Sequence, residues 1–344
     1  MDRFATMPKT ELHLHLEGAI PLSAMWTLVE QHGGDPEVPD ANALTDRFAY
    51  RDFTHFIDTW IWKNRFLDTY DAFEFAAASV ARSLVEQNIV YAEAFFSPSD
   101  FHRHGLGSAE LALAIRRGLD RVDGVDVALI VDLVRDTGPE RADRTFEEVR
   151  EVATEARVIG IGIGGSEAEY PAELFTDVYR QAANSGFRLT AHAGEAAGPA
   201  SVRAALNALH VERVGHGVRA VEDGELLRSL TDRQIPLEVC PTSNIRTGVV
   251  SSWEQHPAAT LIDAGAMVTI NTDDPAMFGC TLTSEYGVVA DRFRFGDTTI
   301  RRLAQNTIDA SWADPPTKQR LSRQLDDWWM RESTRSETVD AQRG

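Results

Sequence analysis

The chain has 344 residues, 43% of them hydrophobic, enough to bury the core of one large domain or two ordinary ones. Its formal net charge of −19 argues against the phosphate backbone of nucleic acid or an anionic membrane as a partner. Cys240 and Cys280 are too few for a disulfide framework, and we find no signal-peptide pattern and no bilayer-spanning apolar run, so we expect a cytoplasmic protein.

The chain opens with a short strand that carries two histidines. Polar and apolar residues alternate over residues 11–18, which read ELHLHLEG, and a period of two places His13 and His15 on the same face. Two imidazoles so placed can hold one metal ion. An isolated pair of this kind is more often part of an ordinary half-buried strand, so the rest of the chain has to decide between these interpretations.

A long insertion follows the first helix, which is predicted over 22–31. Residues 37–75 are rich in aromatic side chains and far exceed the length of an ordinary connection. We expect most of these aromatic residues to pack between helices. Such an insertion is also where a lid over a pocket would lie, so we consider Trp60 and Trp62 as possible lid residues.

From residue 75 onward, apolar runs of strand length alternate with helical patterns. Together with the first strand, eight strands are predicted, the later ones over 89–96, 125–134, 158–163, 188–193, 211–215, 236–240 and 267–272. Apolar strands that alternate with helices predict a parallel sheet covered by helices, and eight repeats fit a closed (β/α)8 TIM barrel. A doubly wound open sheet is the alternative, although no glycine-rich phosphate-binding motif opens any helix.

Residues 1–330 are therefore expected to form a single barrel domain, with the insertion after strand 1 and extra C-terminal helices. These last helices are predicted over 284–294, 298–311 and 316–330. The polar residues 331–344 are expected to form a frayed tail.

Chemically active groups of such a barrel lie at the C-terminal ends of its strands. Every polar cluster of this sequence falls at such an end. In strand order these are His13 and His15, Gly164-Gly165, His192 and Glu195, His216, residues 240–244, and Asp273-Asp274. A chance arrangement would scatter them over both ends, so the pattern indicates a functional site.

Three imidazoles and a carboxylate suit a borderline metal such as zinc, with one position left for water. Our predicted ligands are His13, His15, His192 and Asp273. Zinc lowers the pKa of bound water from about 15.7 to about 7, so we predict a metal-dependent hydrolase. The end of strand 4, residues 160–165, has no lysine or carboxylate that could bridge a second metal, which favours one zinc ion per chain.

Six motifs, in order within residues 8–320, resemble the adenosine deaminase family of the amidohydrolase superfamily. They are HLHLEG, GIGGSE, HAGE, GHG, CPTSN and NTDDP. No single motif carries the resemblance, but HAGE, GHG and NTDDP at strand-length intervals are specific in combination. Zinc deaminases of the cytidine type combine His-x-Glu with Pro-Cys-x-x-Cys, and that combination is absent here.

The resemblance implies a role for each matching residue. The four predicted ligands would hold zinc, and Glu195, His216 and Asp273 would be catalytic. Glu195 would protonate the purine N1 and make C6 electrophilic, while His216 would orient the attacking hydroxide and stabilise its charge. Asp274 would meet N7 and the Gly165 backbone N–H would meet N3. Hydroxide adds to C6, and ammonia leaves.

Purely structural alternatives exist for these residues. Glu195 could cap the following helix, His216 could be a turn residue between two glycines, and Asp274 could cap or turn through the next proline. Ser243 and Asn244 are expected to organise the loop after strand 7 rather than touch substrate.

Glu17 departs from the pattern of the family. Its adenosine enzymes usually place Asp here, a residue thought to contact the ribose 5′-hydroxyl, whereas adenine-specific or modified-nucleoside deaminases often have HxHxEG. The substituent at N9 therefore stays open: none, ribose, or a modified ribose as in aminodeoxyfutalosine or methylthioadenosine. Trp60 and Trp62 would cover a larger 5′ substituent.

We thus predict a zinc-dependent deaminase of a small 6-aminopurine base or nucleoside. Another amidohydrolase, such as a guanine or cytosine deaminase or an amide hydrolase, is the first alternative. A purine-binding protein without turnover and a metal-free barrel are the others. The native metal, zinc or iron, and the oligomeric state stay open.

Overall fold

The computed structural model describes residues 3–50 and 53–343, apart from the side chains of 53, 54 and 335–343. Eight parallel strands form one sheet in chain order, each hydrogen-bonded to the next. They are β1 (Lys9–His15), β2 (Ile89–Phe96), β3 (Asp126–Asp132), β4 (Val158–Gly162), β5 (Arg188–Ala193), β6 (Arg213–His216), β7 (Leu237–Val239) and β8 (Val268–Ile270). The predicted (β/α)8 TIM barrel is confirmed.

Helices alternate with these strands and surround the sheet. They are α1 (Leu22–Gln31), α2 (Ala41–Arg47), α3 (Phe53–Asn64), α4 (Tyr70–Glu86), α5 (Ser108–Leu119), α6 (Pro139–Ala156), α7 (Thr176–Asn184), α8 (Pro199–Ala208), α9 (Gly224–Asp232), α10 (Pro241–Arg246), α11 (Ala258–Asp263), α12 (Pro275–Phe278), α13 (Leu282–Asp291), α14 (Asp297–Ala310) and α15 (Pro315–Arg343). None of the described helices combines the length and the apolar character needed to cross a lipid bilayer.

The seam between the first and last strands closes at their carboxyl ends. Leu14 forms a bridge with Asp273 just beyond β8. The His15 N–H donates to the Asp273 carbonyl at 2.8 Å, and the Asp273 N–H donates to the His13 carbonyl at 2.9 Å. The backbone that completes the barrel is therefore also the backbone of three predicted metal ligands.

The insertion after β1 is helical. It contains α2, α3 and the first turn of α4, which starts at Tyr70, where the Thr69 side chain accepts from the Ala72 N–H at 3.2 Å. The ring of Phe56 on α3 stacks on Phe278 of α12, with centroids 5.5 Å apart. This contact holds α3 against the segment that follows β8, at the catalytic end of the barrel.

The last helix differs from the prediction. It continues past Met330 to Arg343, so the described part of the predicted tail is helical rather than frayed.

A chain of charges crosses the barrel interior. Arg213 on β6 places guanidinium nitrogens 2.6 Å from carboxylate oxygens of both Glu93 on β2 and Glu238 on β7. Trp312 covers the guanidinium with its ring at 3.6 Å, and its backbone N–H donates to Glu93 at 2.5 Å. All three charged side chains are buried, so their charges depend on one another for compensation.

Replacement of Arg213 by methionine is expected to lower the free energy of unfolding by about 3–5 kcal/mol, because two buried carboxylates lose their counter-charge. Urea denaturation measures this change. Arg180, paired with Asp177 on the surface of α7, supplies the control, and Arg180→Met should cost less than about 1 kcal/mol. Similar losses in the two variants would contradict the importance of the interior charges.

Candidate metal centre and catalytic cavity

Three imidazoles and one carboxylate converge at the ends of β1, β5 and β8. Nε2 of His192 lies 3.0 Å from Nε2 of His13 and 3.1 Å from Nε2 of His15. Oδ1 of Asp273 lies 3.6 and 3.3 Å from the same atoms of His13 and His15. Ligand atoms around a tetrahedral zinc ion are about 3.3 Å apart, which follows from bond lengths of about 2.0–2.1 Å. The structure thus brings the four predicted ligands together at the spacing of a zinc-sized ion.

The ionisation states of His192 and Asp273 also suit a metal. Burial, aided by the imidazoles of His13 and His15, lowers the pKa of His192 well below its ordinary value. Burial opposes ionisation of Asp273, but close contact with His13 and the other imidazoles lowers the pKa of this carboxyl below its usual range. Neutral imidazoles and an ionised carboxylate are the forms that bind metals.

A carboxylate outside the ligand set orients His13. The His13 Nδ1–H donates to Glu238 Oε2 at 2.8 Å, which directs Nε2 toward the other donor atoms. Burial opposes ionisation of Glu238, yet the charge of Arg213 lowers the pKa of Glu238. Burial likewise opposes protonation of His13, while contacts with Asp273 and Glu238 raise the pKa of His13 to about 10. A metal ion at this site therefore displaces a proton from the His13 ring.

Several supporting residues were missed or left undecided by the sequence analysis. Ser243 donates its hydroxyl to Asp273 Oδ2 at 2.6 Å, and the amide of Asn244 lies 3.2 Å from His216 Nδ1. Both lie on α10 rather than in a loop. The Phe95 ring packs 5.0 Å from the rings of both β1 histidines. A buried charge within an apolar strand was the only sequence signal for Glu238.

The backbone is strained at two site residues. His216 has a φ of 59° and Asp273 a φ of 67°, in the left-handed region that residues with side chains rarely adopt. Gly215 beside His216 has no room for a side chain, because a Cβ there would lie 2.9 Å from Cε1 of His13. Close packing around the ligands thus fixes these conformations.

Glu195 and His216 lie beside the ligand set. Nε2 of His216 is 3.5 Å from Oε2 of Glu195, and a ring nitrogen of His216 lies within 4.8 Å of donor atoms of His13, His192 and Asp273. Burial lowers the pKa of His216 to about 3. Burial, with the charge of Asp273, raises the pKa of Glu195 to about 8, so Glu195 is protonated near neutral pH. The first turn of α8 has no side-chain cap, so Glu195 does not act as one.

Asp274 is buried and keeps an unused oxygen. Its carboxyl packs against Gly18, where a Cβ would overlap it. Among the described residues, Oδ1 has no hydrogen-bond partner, and the side chain does not cap α12. Burial, with the charge of Asp273, raises the pKa of Asp274 well above its usual range. Asp274 therefore combines a raised pKa with an oxygen that makes no hydrogen bond to the described residues.

Gly165 presents backbone at the site. Its φ is +95°, and a Cβ there would overlap the carboxylate of Asp136, so no other residue fits. Within the described chain, no acceptor takes the Gly165 N–H.

A cavity of about 870 Å³ connects these groups with the insertion. Its wall includes Glu195, Gly165 and Asp274, and α3 contributes Phe56 and Trp60 to it. Trp60, one of the two possible lid residues, therefore lines the cavity, and its role as a lid stays a prediction.

Trp62 and Glu17 lie outside this wall. The Trp62 indole is buried inside the insertion, where it donates to Asp35 Oδ2 at 3.1 Å and packs against the Arg47 guanidinium, so it does not line the cavity. One oxygen of Glu17 accepts from the Ser97 N–H at 2.9 Å. The other has no partner among the described residues, and Ser97, rather than Glu17, lines the cavity.

Comparison with known proteins places the chain in a family. A family model described as adenosine deaminase matches residues 8–328. An aminodeoxyfutalosine deaminase of Streptomyces avermitilis is 34% identical over 94% of this chain and 91% of that protein. An adenine deaminase of Paraburkholderia xenovorans is 33% identical over 95% of each. The crystal structure of an amidohydrolase from Burkholderia ambifaria with bound Zn has 28% identity, a TM-score of 0.87, and coverage of 98% of this chain and 94% of that chain. The chain belongs to the adenosine deaminase family.

Proposed function

We propose that this protein is a zinc-dependent enzyme that deaminates a 6-aminopurine hydrolytically, giving the 6-oxopurine and ammonia. The observation that carries the proposal is the convergence of three imidazole nitrogens and one carboxylate oxygen at a cavity that also contains two buried carboxyls with raised pKa values. Such a site combines metal ligands with proton donors, and a purine ring has nitrogens that accept protons or hydrogen bonds. The names of the relatives support the same reaction class.

The proposed metal is one zinc ion per chain, held by His13, His15, His192 and Asp273. The donor set and its spacing fit zinc, and the Burkholderia ambifaria relative was solved with Zn. Zinc lowers the pKa of the water it binds from about 15.7 to about 7, which supplies hydroxide near neutral pH.

The protein's own side chains would then direct the reaction. Glu195 donates its proton to N1 of the purine, which makes C6 electrophilic, and His216 stabilises the charge on the attacking oxygen. Asp274 donates to N7, and the Gly165 N–H donates to N3. Three hydrogen-bond donors thus match three ring nitrogens and fix which carbon faces the ligand set.

We further propose that the preferred substrate is an uncharged purine base or nucleoside. The cavity wall carries Asp100, Asp132 and Asp136, and none of its described residues is a lysine or an arginine. Burial, with the charge of Asp132, raises the pKa of Asp100 to about 6, which reflects crowding of carboxylates. A phosphate group would therefore find repulsion instead of a cationic partner.

Glu195→Gln is expected to retain zinc and to lower kcat by about 10²- to 10⁴-fold, because an amide cannot transfer the proton to N1. Ammonia release from adenosine and adenine, together with metal analysis, measures both effects. The exposed Glu173, changed to glutamine, is the control and should leave both unchanged. Near-normal turnover in Glu195→Gln would remove this residue from the mechanism.

Glu238→Gln is expected to weaken metal binding by about 10- to 100-fold, since a neutral amide holds the His13 ring less firmly. Competition with a chelator of known affinity gives the dissociation constants. The same substitution at exposed Glu225 is the control. Equal affinities for wild type and Glu238→Gln would mean that His13 is oriented without this carboxylate.

Adenosine or adenine is expected to exceed AMP in kcat/KM by at least about tenfold, because like charges in a confined site cost more than 1.4 kcal/mol. Asp100→Asn should raise the AMP-to-adenosine ratio of kcat/KM. A wild-type enzyme that prefers AMP would exclude an uncharged substrate class while leaving the deaminase reaction intact.

A further inference from the structure

Glu167 lies in the loop after β4 and accepts three backbone hydrogen bonds from the segment after β5. The N–H groups of Gly194, Glu195 and Ala197 donate to its carboxylate at 2.5, 3.1 and 2.8 Å. Only 5% of Glu167 is exposed, so water cannot replace these bonds freely. The sequence analysis gave Glu167 no role.

We infer that Glu167 is a positioning residue, which holds the turn at 194–197 and thereby sets the place of the Glu195 carboxyl. This inference rests on the proposed function, in which Glu195 is the proton donor. Glu167 itself touches no reacting atom.

The backbone N–H groups of this turn need a hydrogen-bond acceptor from another segment of the chain. Gly194 has a φ of +71°, and a Cβ there would lie 2.5 Å from Cγ2 of Val202, so the backbone is tightly held in this conformation. Successive N–H groups in such a turn point toward a common side, where an anion can accept them. A carboxylate satisfies all three at once with charge-assisted bonds, whereas an unpaired buried N–H costs about 1–3 kcal/mol.

The opposite side of the turn is hydrogen-bonded to the segment that follows β6. The Arg219 N–H donates to the Gly194 carbonyl at 2.9 Å, and the Gly217 N–H donates to the Ala193 carbonyl at 3.1 Å. The Glu195 backbone is therefore clamped between the loop after β4 and the loop after β6. The Arg219 side chain adds to the second contact, since its Nη1 donates to the Ala196 carbonyl at 3.1 Å.

The charge of Glu167 also acts on the Glu195 carboxyl. Burial is the main cause of the raised pKa of Glu195, and the charges of Asp273 and Glu167 raise it further. His13 and Arg135 act in the opposite direction, and His216 lies 3.5 Å away. An ionised Glu167 therefore favours the protonated Glu195 that the reaction requires.

Arg135 offsets the charge of Glu167. This buried arginine donates to the carbonyls of Tyr170 at 2.9 Å and His192 at 2.6 Å, so it joins the loop after β4 to the end of β5. Its charge lies close enough to Glu167 to interact with it.

Two substitutions separate the effect of the Glu167 side-chain length from the effect of its charge. Glu167→Gln removes the charge and one strong acceptor, whereas Glu167→Asp keeps the charge but is too short to reach all three N–H groups. Both are expected to lower kcat by about 10- to 100-fold with the metal content unchanged, because the Glu195 carboxyl is no longer held in position to protonate N1 of the purine. Glu173→Gln, an exposed change in the same segment, is the matched control.

The pH profile of kcat distinguishes charge from geometry. Activity requires protonated Glu195 and therefore falls as pH rises through its pKa. Without the negative charge of Glu167 this pKa is lower, so the alkaline limb of Glu167→Gln should shift to lower pH. In Glu167→Asp the limb should stay near that of the wild type.

Hydrogen exchange tests the clamp without any substrate. The amides of Gly194, Glu195 and Ala197 should exchange at least about tenfold faster in Glu167→Gln and Glu167→Asp than in the wild type or Glu173→Gln. If Glu167→Gln does not fold, Glu167→Asp provides the same exchange and kcat tests.

The outcomes separate this inference from the proposed function. A wild-type enzyme that releases no ammonia from any 6-aminopurine contradicts the function, while hydrogen exchange still tests the clamp. An active wild type together with Glu167 variants that keep normal kcat and normal amide protection overturns the inference.

Discussion

Polar atoms crowd together at the ligand site, and this crowding is the constraint on which the rest of the structure depends. The Nε2 atoms of His13 and His15 lie 3.0 and 3.1 Å from Nε2 of His192, and an ionised Asp273 lies beside them. Lone pairs so close repel each other unless a proton or a metal cation lies between them. The protein holds them there through a closed seam, strained φ angles and a buried chain of charges.

The same crowding explains the proton donors of the cavity. Asp273 is held ionised by its imidazole neighbours, and its charge raises the pKa of both Glu195 and Asp274. The pKa of Asp273 is therefore lowered while the pKa values of the two nearby carboxyls are raised. In the proposed mechanism, environment rather than residue type thus separates the metal ligand from the proton donors among three similar side chains.

Sequence predicted the barrel, and it predicted which side chains converge at one end of it, because both follow from regular rules. Period-two and apolar patterns mark strands, and the rule that chemistry lies at strand ends selects His192 and Asp273. Glu238 could not be assigned in this way, since its partner His13 is distant in the chain and only the closed barrel brings them together. Glu167 accepts from backbone N–H groups, which have no sequence signature. Sequence did not distinguish Trp60 from Trp62, because spacing in a helix does not tell which side faces a cavity.

The contact between β1 and the segment behind β8 determines when the metal site can form. Donor groups from the first strand and from the segment behind the last strand meet only when the ring of strands is complete. During synthesis on the ribosome, a metal cannot be bound by all four proposed ligands until the segment behind β8 has emerged. Once bound there, the ion would join β1 to that segment, so loss of the metal would weaken the barrel at this seam.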